Sequence, residues 1–481
     1  MPQDLLTKTS FNLDTSGIAG FFGGEEAVTA MSTVHFFSGR WLLGWYNSPG
    51  SYTIAKCYGR LARGKLWRGL FLGDGSDPAE LFGLGGKKGL RFVAAESGTN
   101  LAATGHLAYL LSKRCQGAEI EAQIIAGNRR NSCVNVSIVH LRCAPETRRY
   151  VESKRDSFSI FLALLTIFTN IAVCIVSAVY RQWYSFAMIL LGITANGISC
   201  LVIGSAILEL RHSQPSAGSP RGDGVIINDR DMIVLVGDEG AVNFVTGGSF
   251  LLDFSSKSIS GGKDGSRKGQ DLVKSAAQGH NVFPNDNMIP DSGSTATRKS
   301  LSDVALPSRV ESLPSPSPSK PSNLNKIGAC ALLLTVQFVL QLLLIPQSSL
   351  FGQILFLFSL AVSWAYNSYL ASLDRESLQI NIISECLNLR PVAHKPVPKY
   401  DLATWTGAAV FVAYVLRPSN CRELLDQIIP NNTTTWSKFK EEIVHDVKSA
   451  PQLVAGEKDS NTVITQRAQV VDANIEPAED A

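Results

Sequence analysis

Charged and apolar positions are not mixed evenly along this chain. Four windows hold no Asp, Glu, Lys, Arg or His: Phe158–Tyr180 (23 residues), Trp183–Leu208 (26), Ile327–Ile345 (19) and Leu350–Ala371 (22). A helix needs about 20 apolar residues to cross the hydrocarbon core of a bilayer. These runs are apolar on every face, whereas the core helix of a soluble domain is amphipathic. The pattern predicts four membrane-spanning helices. Only Arg181 and Gln182 separate the first two windows and Pro346–Ser349 the second two, so two helical hairpins are expected. Tyr180, Trp183 and Tyr184 cluster at the first turn, as interfacial aromatics do. The predicted class is an α-helical integral membrane protein with mixed α+β segments outside the lipid and a disordered loop.

The other stretches show mixed patterns. Residues 1–156 are Gly-rich, with GFFGG at 20–24, GDG at 73–75 and GLGGKKG at 83–89. Within them Ile124–Ala126 and Val134–Val139 read as strands and Ala94–Ser112 as a helix. Trp41, Trp45, Tyr46 and Trp67 are either core aromatics or a surface resting on the membrane. The basic run Gly59–Arg68 either favours anionic lipid or forms a solvated face. In 209–254, the runs Met232–Val236, Ala241–Val245 and Phe250–Phe254 alternate with the turn signals GDEG and TGGS. They predict a small meander, too small to be stable alone. Residues 255–325 hold 16 Ser and 7 Pro in 71 positions, too little apolar area to offset chain entropy, and are expected to be a disordered linker. In 372–450, Glu376–Leu389 reads as a surface helix. Leu402–Leu416 is apolar for 15 residues and is a buried helix or strand, an interfacial segment or a fifth span. Trp436, Phe439, Ile443 and Val447 share one helical face. The tail 451–481 is expected to be disordered.

Charge and cysteine usage refine this picture. Charged residues are 18% of the chain, below the ~25% of soluble domains, and the deficit falls in the four windows. Lys and Arg number 44 against 41 Asp and Glu, so no nucleic-acid footprint is expected. Arg142, Arg148, Arg149, Lys154, Arg155, Arg211, Arg221, Arg230, Lys326, Arg375, Arg390, Lys395 and Lys399 flank one end of the windows, and only Arg181 the other. The excess of basic residues on the cytosolic side then puts both termini and the middle loop in the cytosol. Nine unpaired-looking cysteines without CxxC spacing fit a reduced compartment. The segment MPQDLLTKTSFNLDTSG has no basic stretch leading into an apolar core, so no cleaved leader is expected.

Polar residues inside the windows are the candidate site. Thr166, Asn170, Cys174 and Ala178 recur every four residues, as do Gly192, Asn196, Cys200 and Gly204, so each set shares a helix face. Asn170 and Asn196 lie near mid-span and can hydrogen-bond across the first hairpin. Counted from the second turn, Gln337 is level with Ser359 and Gln341 with Gln353; Ser363 and Asn367 follow. These groups form either helix–helix packing contacts or a polar pathway. No Asp, Glu, Lys, Arg or His lies within the windows, which speaks against an ion-coupled pump. Candidate chemistry elsewhere is thin. GLGGKKG lacks the Ser or Thr of a phosphate-binding loop. Cys133, His140 and Cys143 lack a fourth zinc ligand. No catalytic, cofactor or metal site is assigned. Ser300 after Arg-Lys, and Ser315 and Ser317 before Pro, are candidate phosphosites.

The stretches SFNLDTSGIAGFFGG (10–24), AMSTVHFF (30–37), GDEGAVNFVTGGSF (237–250) and LLDQIIPNNTTTW (424–436), with the order of the spans, resemble a set of multi-pass membrane proteins from mushroom-forming fungi. That resemblance implies a fungal membrane protein and brings no function. The residues themselves favour a non-enzymatic membrane anchor, interaction or regulatory protein, with the bilayer and a cytosolic protein at 1–156 or 209–325 as partners, and self-association as a further option. The alternative is a transporter or channel subunit with an amide- and hydroxyl-lined pathway; a membrane enzyme without a recognisable motif comes third.

Overall fold

The computed structural model describes residues 23–72, 77–124, 134–142, 156–254, 321–387, 389 and 397–449. Ser300, Ser315, Ser317, Cys133, Cys143 and residues 255–320 of the Ser/Pro-rich linker lie outside the described residues; the linker's last five residues are not disordered but form the start of a helix, Pro321–Leu344, that runs on into the third charge-free window. In the N-terminal half the helices are α1 (Gly24–Ser32), α2 (Ser51–Tyr58), α3 (Lys65–Leu70), α4 (Pro78–Leu81), α5 (His106–Gln116), α6 (Ser157–Val179), α7 (Trp183–Gly204) and α8 (Glu239–Gly247). Then come α9 (Pro321–Leu344), α10 (Leu350–Ser372), α11 (Arg375–Cys386), α12 (Trp405–Leu416), α13 (Cys421–Ile428) and α14 (Thr434–Ser449).

Four of these, α6, α7, α9 and α10, are long and apolar enough to cross a membrane. They match the four charge-free windows, because a run with no polar face can only be helical or buried. Helices α6 and α7 pack against each other across a tight turn in which Arg181 adopts a left-handed φ of 55°. The two connecting turns meet at one end of the bundle, where the Ser185 and Ser348 hydroxyls are 2.7 Å apart. The second pair departs from the expected hairpin. Helix α9 packs on α7, and α10 packs on α6. Between α9 and α10 lie α2, against α9, and α1, against α10. Residues expected to form part of a separate region are thus built into the bundle.

At the other end of the bundle sits a seven-stranded mixed sheet. The strands are β1 (Arg91–Ala94), β2 (Asn100–Leu101), β3 (Ala122–Ile124), β4 (Val134–Leu141), β5 (Ile207–Arg211), β6 (Gly224–Ile227), β7 (Asp231–Gly237), β8 (Ser249–Asp253) and β9 (Lys399–Leu402). The sheet order is β2-β1-β6-β7-β4-β9-β3, and β5 pairs with β8 separately. β4 runs parallel to β7 and β3 to β9, the other pairs being antiparallel. Strand alternation sorts the side chains onto two faces. Val134, Val136, Met232 and Val234 pack with Ala408, Phe411 and Val412 of α12. Val139, Leu141, Ile233 and Leu235 face the other way, with Leu107 and Leu111 of α5 and Val242 and Val245 of α8. This second core continues into Ala195, Cys200 and Ile203 of α7 and Leu324, Ile327 and Ala331 of α9. Sheet and bundle therefore share one hydrophobic core.

Several local expectations change. Ala241–Val245 lies in helix α8, because Ala241, Val242, Phe244 and Val245 are buried at helical spacing. The meander is consequently replaced by β7 in the large sheet and β8 in the small one. Ala94–Ser112 divides into strand, turn and helix. Gly98 turns the chain at φ 66°, and α5 begins only at His106. The apolar stretch at 402–416 is a buried helix of 12 residues on the sheet. Helix α14 buries Ile443 and Val447, as their spacing implies.

Candidate functional site

The site is built by the segment from Gly23 to Leu61. Helix α1 begins deep in the bundle, where Gly23 meets Trp364, and rises to the sheet end, where the Ser32 hydroxyl accepts a hydrogen bond from Arg375. The chain then turns and descends along α7. A Cβ on Gly204 would lie 2.4 Å from the Trp41 Cβ, one on Gly197 2.3 Å from the Trp45 ring, and one on Gly192 1.9 Å from Asn47 Oδ1. The glycines of α7 thus form a channel that the descending chain fills. The chain turns at Ser48–Gly50 and climbs again as α2. The starts of α1 and α2 abut: a Cβ on Gly50 would be 2.8 Å from the Gly24 Cα. Gly23 and Gly50 precede the two helices with left-handed φ of 72°, and neither helix has a side-chain cap.

Depth follows from the helical rise. Asn47 is level with Gly192, Asn170 and Ser359, which lie 12–13 residues from the sheet ends of α7, α6 and α10, or about 18–20 Å. Those helices are 22–23 residues long, so Asn47 sits near mid-bundle. Irregular backbone there needs internal partners, and the amides supply them. The Asn47 backbone N–H donates to Asn170 Oδ1 (3.3 Å), and its side-chain amide to Ser359 Oγ (3.1 Å). Asn170 also accepts from Ser359 Oγ (2.6 Å) and donates to Ser363 Oγ (3.1 Å). Asn196 Nδ2 donates to the Gly44 carbonyl (2.7 Å). Asn367 accepts from the Tyr46 hydroxyl (2.9 Å) and donates to Ser48 Oγ (3.0 Å). Asn170 and Asn196 are therefore not each other's partners. Asn170 ties α6 to α10, and each Asn holds the inserted segment. The small-residue face of α7 accommodates that segment instead of another helix.

The glutamines behave differently. Gln353 Nε2 donates to the Ser348 carbonyl (3.1 Å) near the turns. Gln337 is fully buried, and neither of its amide atoms has a partner; Asn47 Oδ1 and Gln341 Nε2 are also unpaired. Gln341 lines a cavity of about 70 Å³ with Gly24, Pro49, Gly50, Thr53 and Phe338, directly beneath the starts of α1 and α2.

The inserted segment also carries charge into the bundle, which the four windows do not. Arg40 is 3% exposed. Its guanidinium lies 5.1 Å from the centre of the Tyr366 ring and donates to the Tyr46 hydroxyl (3.3 Å) and the Leu43 carbonyl (3.4 Å). Among the described residues it has no carboxylate partner. Tyr366 lies six residues, about 9 Å, from the sheet end of α10, and the Arg40 guanidinium reaches in toward its ring from a backbone at the sheet-side edge, next to Trp41. Glu25 and Glu26 occupy the first turn of α1, where carboxylates complement the helix dipole. The sequence signal for Arg40 is that it is the only formal charge in Ala27–Ala55.

No group of three or more His, Cys, Asp or Glu suited to a metal ion occurs among the described residues. A scan of protein-family models finds no match to the chain, and comparison with curated proteins and with solved structures finds none either.

Proposed function

We propose that this is a multi-pass membrane protein whose four long helices cross the bilayer, and that it is a transporter or channel subunit with its functional centre at the inserted segment. The observation that carries the reading is the pair of short helices, α1 and α2, whose starts abut deep in the bundle beside the unpaired Gln341 Nε2 and a small cavity. Broken helices meeting at the midplane are how many transporters build a solute site, because free N–H groups and amides can replace a solute's hydration there. The lack of ionisable groups in the spans weighed against transport. Arg40 supplies a buried charge from the inserted segment, whereas Glu25 at the start of α1 is exposed. The excess of basic residues at the sheet end supports a cytosolic sheet domain, with both chain termini on the same side.

The test uses purified full-length protein in proteoliposomes. Planar-bilayer conductance in KCl and stopped-flow uptake of urea and glycerol are measured for the native chain, Arg40→Gln and Gln341→Leu. At least one flux above that of empty vesicles, lost in a variant that still elutes as a folded particle, supports the reading. No flux with any probe sinks it in favour of the second reading, a membrane-held interaction or regulatory module. That alternative draws on the continuous core joining sheet and bundle, which would fix the sheet domain rigidly to the membrane. Orientation has its own check: the sequons at Asn431 and Asn432 are expected to remain unglycosylated, and a glycosidase-sensitive gel shift refutes a cytosolic sheet.

A further inference from the structure

The stretch Gly59–Leu72, GRLARGKLWRGLFL, holds four basic residues and no acidic one. Its helix α3 leaves Leu66 (66%) and Leu70 (52%) exposed, and Leu72 beyond it is 83% exposed. Arg63, Lys65 and Arg68 are exposed too and pair with no carboxylate among the described residues. A patch that is both apolar and basic is unsuited to water alone: the leucines need an apolar phase, and the cations need anions.

Its height on the bundle suggests what meets it. Trp67 packs on Gly328, where a Cβ would lie 2.6 Å from the indole. Gly328 is the second residue of the charge-free window on α9, directly after Lys326 and Ile327. On the neighbouring α7, Trp41 packs on Gly204, the last residue of that helix, with Leu42 half exposed beside it. Trp183, at the opposite end of α7, is 21 residues from Gly204, or about 32 Å, close to the thickness of a bilayer core. Trp41 and Trp67 therefore mark a single level at the sheet-side edge of the hydrocarbon, and α3 lies at that level.

We infer that residues Arg63–Leu72 form an interfacial anchor that binds anionic phospholipid of the leaflet on the sheet side. Leu66, Leu70 and Leu72 enter the acyl boundary, while Arg63, Lys65 and Arg68 contact the headgroups. Short basic–apolar helices bind such surfaces by this combination. The inference rests on the membrane reading, but not on transport.

The test places full-length protein in nanodiscs of zwitterionic phosphatidylcholine, with or without 30% phosphatidylserine, and follows backbone hydrogen exchange across residues 63–72. Exchange is expected to be about tenfold slower in the anionic discs. The variant Arg63→Gln/Lys65→Gln/Arg68→Gln should abolish the difference. Leu66→Ser/Leu70→Ser should raise exchange in both discs. All these side chains are on the surface, so folding is retained, and slow exchange in α7 checks that it is. Equal exchange in both discs, or protection that follows protein concentration in detergent, overturns the proposal; the latter makes the patch a contact between copies. Release of the native chain from membranes by alkaline carbonate overturns the membrane reading itself and is recorded separately.

Discussion

Replacing Asn170 by Ala removes the residue that joins the most elements at mid-bundle. The side chain is fully buried and makes three bonds to other segments: it accepts from the Asn47 N–H and Ser359 Oγ and donates to Ser363 Oγ. Bonds between helices in membrane proteins contribute about 0.6 kcal/mol each, so their direct loss costs ~2 kcal/mol. The larger consequence is the Asn47 N–H, a buried donor left without an acceptor, which adds about 1–3 kcal/mol. The expected loss is then roughly 3–5 kcal/mol in all, unless water enters the vacated space and recovers part of it. The control is Thr169→Ala, whose hydroxyl is exposed and bonds only within its own helix, to the Leu165 carbonyl at 2.8 Å; a change within about 0.5 kcal/mol is expected there. Stability is read from unfolding in detergent with increasing dodecyl sulfate, followed by circular dichroism. Limited trypsin digestion adds a local reading. Arg40 is buried in the native chain, and cleavage after it should appear in Asn170→Ala before the bundle unfolds. If Asn170→Ala unfolds with Thr169→Ala and Arg40 stays protected, the amide seam does not hold the inserted segment.

Other consequences follow from the same geometry. Gly197→Ala puts a methyl group 2.3 Å from the Trp45 ring and should destabilise the protein by about 1–3 kcal/mol, whereas Gly69→Ala, with open space around it, should be neutral or stabilising; paired thermal melts compare them. The buried Lys440 ammonium donates to Asp426 Oδ1 (2.7 Å) and to the carbonyls of Ile429 (2.7 Å) and Asn431 (2.9 Å). Lys440→Met strands these acceptors and should cost about 2–4 kcal/mol, read as a lower Tm of the extracted protein. Hydrogen bonds from Lys113 and Lys87 hold the Glu376 carboxyl below its ordinary value of 4.5. A group depressed in the folded state stabilises above its unfolded pKa, and the effect is lost as pH falls through the folded value. The Tm gap between the native chain and Glu376→Gln should therefore be full at pH 6 and close below about pH 4.5; a gap that persists at pH 3 refutes the assignment.

Joining the sheet to the bundle changes how either part can move. Ile233 and Leu235 of β7 belong to the same core as Ile203 of α7 and Ile327 of α9, and β5 follows α7 after only Ser205 and Ala206. A hinge between the parts would have to open apolar surface that no linker separates. The inserted segment closes the same loop from within, since Ser32 at its upper end meets Arg375 just after α10. Residues 44–50 at mid-bundle and the bundle's sheet end, where α1 terminates, are thus joined through one continuous segment of chain.

The long helices were legible because their signal is an absence: no charge in 19–26 residues admits few structures. The strands around Val134–Val139 and Met232–Val236 were legible as short apolar runs rich in β-branched residues, the second followed by a turn signal, and both faces of these strands are buried. The inserted segment was not. Ala27–Ala55 is nearly as poor in charge as a span, but glycines at 39, 44 and 50 and Pro49 break it into apolar runs too short to cross a bilayer. The small residues of α7 at 192, 196, 200 and 204 do signal close approach, yet a groove specifies a gap and not its occupant. What links the two stretches is a difference of rise. Gly192 to Gly204 covers twelve residues, about 18 Å of helix. Asn47 to Trp41 covers six, at most about 20 Å when nearly extended. Contacts three to five residues apart on the helix are therefore met by contacts one to three residues apart on its partner: Asn47 at Gly192, Trp45 at Gly197, Gly44 at Cys200 and Trp41 at Gly204. Neither stretch carries that match alone.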